Sequence, residues 1–167
     1  SPGKDVVNDF KRTCPNQTVV KVESVQNQML YDSYWNARRN VIKLLGEKKL
    51  NERNVFHGTK HIDVMSKVYT QGFMKVFSNN STYGKGTYFA RDAHYSTNYS
   101  HKDSNNSYQM FQCQAIFGES YKGSNTYELK SWPKKSNGLK YDSLVDNPSN
   151  PSIYVLHENA RAYPMFV

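Results

Sequence analysis

The chain has 167 residues, of which 37% are hydrophobic, and it carries 22 Lys and Arg against 14 Asp and Glu, for a net charge of +8. This length supports one domain with its own core. The sequence lacks the run of roughly 20 apolar residues that a membrane helix needs, so we expect no membrane protein. The basic balance favours an acidic partner, such as nucleic acid, an acidic protein or a diphosphate ligand, without choosing among them.

The cysteine content indicates the cellular compartment. Cys14 and Cys113 are the only cysteines, which is too few for a typical disulfide-stabilised secreted domain. We therefore expect two reduced thiols in an intracellular protein, cytoplasmic or nuclear. The histidines and cysteines show no spacing typical of metal ligands, so no metal site is predicted.

The first third of the chain predicts one strand and one long helix. Residues 1–17 are polar and form a lead-in segment that is either loosely ordered or a short helix. Residues 18–25 alternate in polarity and are rich in β-branched side chains, which predicts a strand. An apolar stripe at helical spacing then follows Asn27, a typical N-cap residue, and ends near Gly46.

The middle of the chain predicts short elements separated by polar loops. Residues 54–57 are expected to form a strand, and residues 61–70 a helix that ends at Gly72. An Asn- and Ser-rich loop covers residues 73–83, and residues 87–90 form the next strand.

The last part of the chain is mainly strand. Asp92 is expected to cap a short helix that runs to about Tyr99. Strands are predicted at residues 108–117, 152–157 and 163–167, with an irregular connection at residues 119–140. The pattern favours an α+β fold with a split, mainly antiparallel β-sheet core and flanking helices, formed by residues 18–167 after the lead-in segment.

Two motifs carry the functional signal. His57-Gly58-Thr59 follows a predicted strand, and Tyr83-Gly84-Lys85-Gly86-Thr87-Tyr88-Phe89-Ala90 leads into the next one. Ser96 and Tyr99 lie three residues apart on the following helix and so share a face. A bare glycine backbone, a hydroxyl and an aromatic face together suit a flat carboxamide, which both donates and accepts hydrogen bonds.

In this order and spacing, the two motifs resemble the core of the diphtheria-toxin-like ADP-ribosyltransferases, in the poly(ADP-ribose) polymerase branch. The likeness covers residues 18–167 and is closest to the mono-ADP-ribosylating members. It implies a glycosyltransferase that uses NAD as co-substrate, cleaves its nicotinamide–ribose bond and transfers ADP-ribose to a protein side chain. Further matches are Asn51-Glu52-Arg53, Arg91-Asp92-Ala93, Tyr141-Asp142-Ser143, Ser152 to Val155 and Ala162-Tyr163-Pro164.

The resemblance also assigns roles to single residues. His57 would bond the adenosine ribose with Thr59 nearby, Gly58 and Ser96 would hold the carboxamide, and Tyr99 would stack on the nicotinamide ring. Tyr88 would form the opposite wall, while Tyr83 would close over the dinucleotide from a donor loop at residues 73–83. These roles lead us to expect that Gly58→Trp fills the pocket without disturbing the fold.

One position departs from the polymer-forming members. They carry a Glu at the start of the late strand, where this chain has Ile153, and often a Lys where it has Tyr95. Isoleucine cannot accept a hydrogen bond or polarise a hydroxyl, so the third catalytic position implies single ADP-ribose units on the product. Ionised Glu or Asp side chains are then the expected acceptors.

Two other functions remain open from the sequence. A catalytically silent domain of the same fold could bind RNA or protein through its basic surface, on which Arg38 to Lys49 form the densest stretch. That stretch is also typical of a solvated helix face. A tRNA 2′-phosphotransferase would suit the basic charge, but its additional Arg and His motifs are missing.

Overall fold

Seven strands form a single sheet, with helices packed against it, in a computed structural model that describes residues 1–74 and 81–167. The α-helices are α1 (Pro2–Thr13), α2 (Gln28–Leu45), α3 (Ile62–Gln71) and α4 (Ala93–Thr97). The strands are β1 (Glu52–His57), β2 (Thr87–Ala90), β3 (Phe111–Ile116), β4 (Ser120–Lys122), β5 (Ser143–Val145), β6 (Ile153–Leu156) and β7 (Ala162–Phe166).

The sheet order is β4-β5-β6-β2-β1-β3-β7. Only β4 and β5 run parallel, and the remaining neighbours are antiparallel. Strands β1 and β2 are paired over a much shorter length than the neighbouring strand pairs, because only Phe56 and Ala90 lie opposite each other. The predicted split, mainly antiparallel α+β architecture is therefore confirmed, and the split lies between the two motif strands.

Helix α2 matches its prediction closely. The side chain of Asn27 accepts a hydrogen bond from the Leu30 backbone at 3.1 Å, which satisfies one of the free amides at the helix start. Gly46 ends the helix with a φ of 83°, a backbone conformation that glycine adopts without strain. The helix buries Tyr34 and Val41 against Ile116 and Tyr163 of the sheet.

The strand predicted at residues 18–25 is wrong. That segment is extended but joins the sheet only near its end, where Glu23 and Val167 exchange backbone hydrogen bonds of 2.8 and 2.9 Å. Val20 is 81% exposed, so its β-branched side chain has no sheet surface to pack on. Strand propensity needs a neighbouring strand, and the edge of β7 offers room for a few residues only.

The lead-in segment, which the sequence left open, is helical from Pro2 to Thr13 and packs on the sheet. Cys14, directly after α1, is buried in a cluster with Phe56 of β1 and Ala93 of α4. The Phe10 ring meets the Phe56 ring edge-on at 6.5 Å. The lead-in segment therefore lies beside the motif strands.

The region predicted as irregular, residues 119–140, contains the short strand β4 and a turn of 3-10 helix at Leu129–Ser131. Close to it lies a buried ionic cluster centred on Asp142, whose carboxylate accepts hydrogen bonds from Arg161 at 2.7 Å and Lys135 at 2.9 Å.

Across residues 1–74 and 81–167, none of the helices combines the length and the apolar character that a bilayer crossing requires.

Candidate active site

The two motifs meet where the sheet splits. His57 is the last residue of β1, and its Nδ1 lies 2.7 Å from the backbone oxygen of Tyr88 in β2. Because a carbonyl oxygen can only accept, Nδ1 carries the proton. Burial lowers the pKa of His57 below its ordinary value, although the bond to Tyr88 opposes this effect. The neutral ring therefore presents Nε2 as a hydrogen-bond acceptor.

Aromatic contacts fix the orientation of the imidazole. The ring of Phe73 packs on His57 at 5.0 Å between centroids and that of Phe89 at 5.5 Å. Both phenylalanines are buried in the main core cluster. His57 is thus held on two sides by packing and at Nδ1 by a hydrogen bond, an arrangement typical of a positioning residue.

Gly58 lies directly against α4. A Cβ on Gly58 would stand 2.5 Å from the backbone oxygen of Ser96 and 2.8 Å from Ser100 Oγ. The same Ser96 oxygen accepts a hydrogen bond from Ser100 Oγ at 2.9 Å. The close approach brings the half-buried backbone of Gly58 next to Ser96. It also overturns the expectation for Gly58→Trp, because any side chain at this position collides with α4 backbone.

Tyr88 forms a buried wall and an anchor. Its hydroxyl donates to the Gly84 backbone oxygen at 2.6 Å and accepts from the Tyr83 backbone amide at 2.9 Å. Desolvation by burial is the main cause that raises the pKa of Tyr88 to about 12, so the hydroxyl stays protonated. The Tyr88 phenol therefore holds the Tyr83-Gly84 turn in place.

Tyr99, which follows α4, is 37% exposed and offers an open aromatic face. Its ring packs on Tyr95 with centroids 5.4 Å apart, and the two hydroxyls lie 3.4 Å from each other. Thr59, two residues after His57, is buried, and its Oγ1 accepts from the His61 amide at 3.5 Å. Tyr99 is thus partly exposed and Thr59 is buried, and the roles that the resemblance assigns to them stay predictions.

Ile153 begins β6 opposite Ala90 and is 3% exposed. Ile153 packs in one apolar cluster with Tyr88 and Val155. The third motif position is therefore part of the same apolar surface as Tyr88. Glu158 follows β6 and is bonded to Arg161 at 3.1 Å, so this nearby carboxylate is engaged elsewhere.

A cleft of about 490 Å³ opens beside Ile153. The sequence did not single out Asp146, which borders it and accepts hydrogen bonds from the backbone amides of Ser152 at 3.0 Å and Ile153 at 3.1 Å. The Asp-Asn-Pro sequence after a strand is a turn signal that could have identified it. The cleft is lined by Thr13, Tyr83, Asp92, His94, Tyr95, Asp146, Ser152 and Ile153.

Part of the expected donor loop, residues 75–80, lies outside the described residues. Tyr83, at the end of that loop, is described and half-buried beside the Tyr88 cluster. In the ranges 1–74 and 81–167, no group of three His, Cys, Asp or Glu side chains is arranged to hold a metal ion.

Comparison with known families gives one match over nearly the whole chain. The family model described as the poly(ADP-ribose) polymerase catalytic domain matches residues 4–167. That span includes both motifs, Ile153 and most of α1.

Three curated relatives illustrate the match. Protein mono-ADP-ribosyltransferase PARP12 of Homo sapiens is 38% identical over 164 residues, which cover 97% of this chain and 23% of the relative. Protein mono-ADP-ribosyltransferase PARP14 of Homo sapiens is 31% identical, over 97% of this chain and 9% of the relative. A probable poly [ADP-ribose] polymerase of Dictyostelium discoideum is 32% identical, over 95% of this chain and 46% of the relative. The chain thus spans less than half the length of each relative.

Proposed function

We propose, since this chain belongs to the family of poly(ADP-ribose) polymerase catalytic domains, that it is an NAD-dependent mono-ADP-ribosyltransferase acting on protein side chains. The observation that carries this proposal is that the two motifs and helix α4 meet where the sheet splits. There His57 is bonded to Tyr88, and Gly58 lies against the helix that carries Ser96. NAD is the co-substrate, and its nicotinamide is a good leaving group, so the protein has mainly to bind and orient it.

The residues at the split fit the two ends of NAD. Gly58 has no side chain to cover its half-buried backbone beside Ser96, and Tyr99 offers a partly exposed ring, which together suit the nicotinamide. At the other end, Nε2 of His57 is an acceptor that suits a ribose hydroxyl, with Thr59 beside it. His57 therefore orients the substrate and does not move a proton.

The wall at Ile153 supports a single-unit product. Elongation requires activation of a ribose hydroxyl, a poor nucleophile near neutral pH, and Ile153 has no group that could do this. Asp146 is close by, but its carboxylate accepts bonds from two backbone amides and from the Ser152 hydroxyl. We propose that the acceptor enters the cleft beside Ile153 and brings its own ionised carboxylate, from Glu or Asp.

A binding module with a closed pocket is the alternative. Within the basic stretch, Arg38 is paired with Glu52 at 3.0 Å and Lys49 with Glu119 at 3.2 Å, which reduces the positive charge that these two residues offer to an acidic partner. Nucleic-acid binding and an intracellular location, cytoplasmic or nuclear, remain predictions from composition.

Labelled NAD followed by mass spectrometry of the modified protein tests the proposal directly. We expect single ADP-ribose units on acidic side chains. NAD at 100 times its dissociation constant should also stabilise the fold by about 2.7 kcal/mol. A protein that neither binds NAD nor incorporates label would instead support the binding module.

A further inference from the structure

The start of helix α4 is held by a residue of α1. Asp92 occupies the N-cap position, where the sequence predicts a capping side chain, but it makes no cap hydrogen bond. Its carboxylate instead accepts bonds from Arg12 at 2.9 Å and from Arg91 at 3.1 Å. Thr13 Oγ1 takes over the capping role and accepts the His94 amide at 3.2 Å.

Thr13 is itself firmly placed. The neighbouring Cys14 is buried against Phe56 and Ala93. Upstream on α1, Asp9 accepts a hydrogen bond of 2.7 Å from Gln112 of β3. The capping hydroxyl is therefore attached to the sheet through α1, while the Cys14–Ala93 contact joins the same segment to α4.

The far end of α4 is fixed by a different contact. There the Ser96 oxygen and Ser100 Oγ lie against Gly58. The helix has five residues, which is too short to be stable without outside support. Ser96 belongs to the second attachment, lies four residues after the N-cap position and is 3% exposed, so its position depends on both attachments.

We propose that Thr13, supported by the Arg12–Asp92 pair, is a positioning residue for the nicotinamide end of the site. It keeps the first turn of α4 formed, and that turn sets the positions of Ser96 and Tyr99. The proposal rests on the proposed function, because it assumes that these two residues contact nicotinamide. It predicts that a substitution on α1 changes binding at one end of NAD and not at the other.

The decisive pair of variants is Thr13→Val, which keeps the shape but removes the acceptor, and Thr13→Ser, which keeps the acceptor. Benzamide probes the nicotinamide end, and ADP-ribose probes the His57 and Thr59 end. Loss of a cap should weaken benzamide binding about fivefold in Thr13→Val. ADP-ribose binding should be unchanged, and Thr13→Ser should behave like the wild type. Lys11→Ala, an exposed change on the same helix, is the control.

Two results would overturn the proposal. Equal weakening of benzamide and ADP-ribose, in step with a lower melting temperature, would mean that Thr13 supports the fold as a whole. Unchanged benzamide binding in Thr13→Val would mean that the cap does not reach Ser96.

Hydrogen exchange without ligand separates this proposal from the function it rests on. Thr13→Val should speed exchange of the His94 to Ser96 amides about fivefold and leave the β3 amides unchanged. If the wild type binds no benzamide, the assigned role of the site fails, while faster exchange would still show that Thr13 holds α4. Unaltered exchange would reject the positioning role whatever the ligands do.

Discussion

His57 Nδ1 and the Tyr88 backbone oxygen, 2.7 Å apart, connect β1 and β2 at the point where their backbone pairing has ended. A side chain thus replaces a ladder hydrogen bond and closes the base of the split. The same bond fixes the tautomer, since Nδ1 must donate to the carbonyl and Nε2 is left to accept. The hydrogen bond that connects the two strands is therefore also the one that leaves Nε2 of His57 able to accept.

His57→Ala should lower kcat/KM by about 10²-fold or more, because the substrate loses its orientation. His61→Ala, at an exposed histidine four residues along the chain, is the control and should leave turnover unchanged. Steady-state kinetics with labelled NAD would measure both variants.

The pH dependence tests the role of His57 separately. Burial lowers the pKa of this residue, so its ring is neutral at and above about pH 6.5. Activity should be flat there and fall only on further acidification, when Nε2 gains a proton and can no longer accept. An inflection near pH 6.5 that disappears in His57→Ala would point to general-base chemistry instead.

The sequence predicts best where local pattern and tertiary packing agree. Helix α2 has both a capping Asn27 and an apolar stripe, and the structure reproduces its bounds within a residue or two. Strand β2 was predicted as Thr87 to Ala90 and is observed there. Its four residues are all buried, so the local sequence and the tertiary environment both favour a strand here.

The prediction fails where an element is defined by distant partners. Strands β4 and β5 have three residues each and depend on distant partners, since β4 pairs with β5 across 20 intervening residues and β5 also pairs with β6. The capping of α4 is a similar case. Asp92 is a suitable cap in sequence, but its carboxylate binds the adjacent Arg91 and also Arg12, 80 positions away, and the distant Thr13 caps the helix instead. Neither relationship leaves a local signal.

Gly58→Ala should weaken NAD and benzamide binding and destabilise the fold by about 1–3 kcal/mol, the usual cost of overpacking. The added Cβ would stand 2.5 Å from the Ser96 backbone oxygen. Removing the Ser100 hydroxyl in Gly58→Ala/Ser100→Ala should not restore binding, because the closer contact is with backbone. Gly3→Ala has open space around it and lies in α1, where alanine favours the helix, so as the control it should not lower the melting temperature. A stable Gly58→Ala protein with normal affinity would refute the close packing of Gly58 on α4.

Asp142→Asn should lower the free energy of unfolding by about 3 kcal/mol, because Arg161 and Lys135 would remain buried with less compensating charge. Burial opposes ionisation of Asp142, but its hydrogen bonds with Arg161 and Lys135 prevail and keep its pKa below the ordinary value. The stabilisation is therefore fully present above about pH 4 and lost as the pH falls through the lowered pKa. Denaturant unfolding at several pH values measures this, with exposed Asp32→Asn as the control. Identical pH profiles for the wild type and Asp142→Asn would contradict the assignment.

Ile153→Glu alone should not convert the domain into a polymerase. The side chain would enter an apolar wall beside Tyr88 and Val155, where burial raises the pKa of a carboxyl group and favours its neutral form. Asp146, bonded to the Ile153 amide at 3.1 Å, adds a second carboxylate nearby and disfavours ionisation further. A neutral carboxyl cannot activate a ribose hydroxyl, and the surface would also have to hold a growing polymer. We therefore expect lower stability than in Ile153→Val and single ADP-ribose units on gels and in mass spectra. Polymer ladders from the wild type would show that Ile153 is not the third catalytic position, whereas ladders from Ile153→Glu alone would show that this one residue sets the product length.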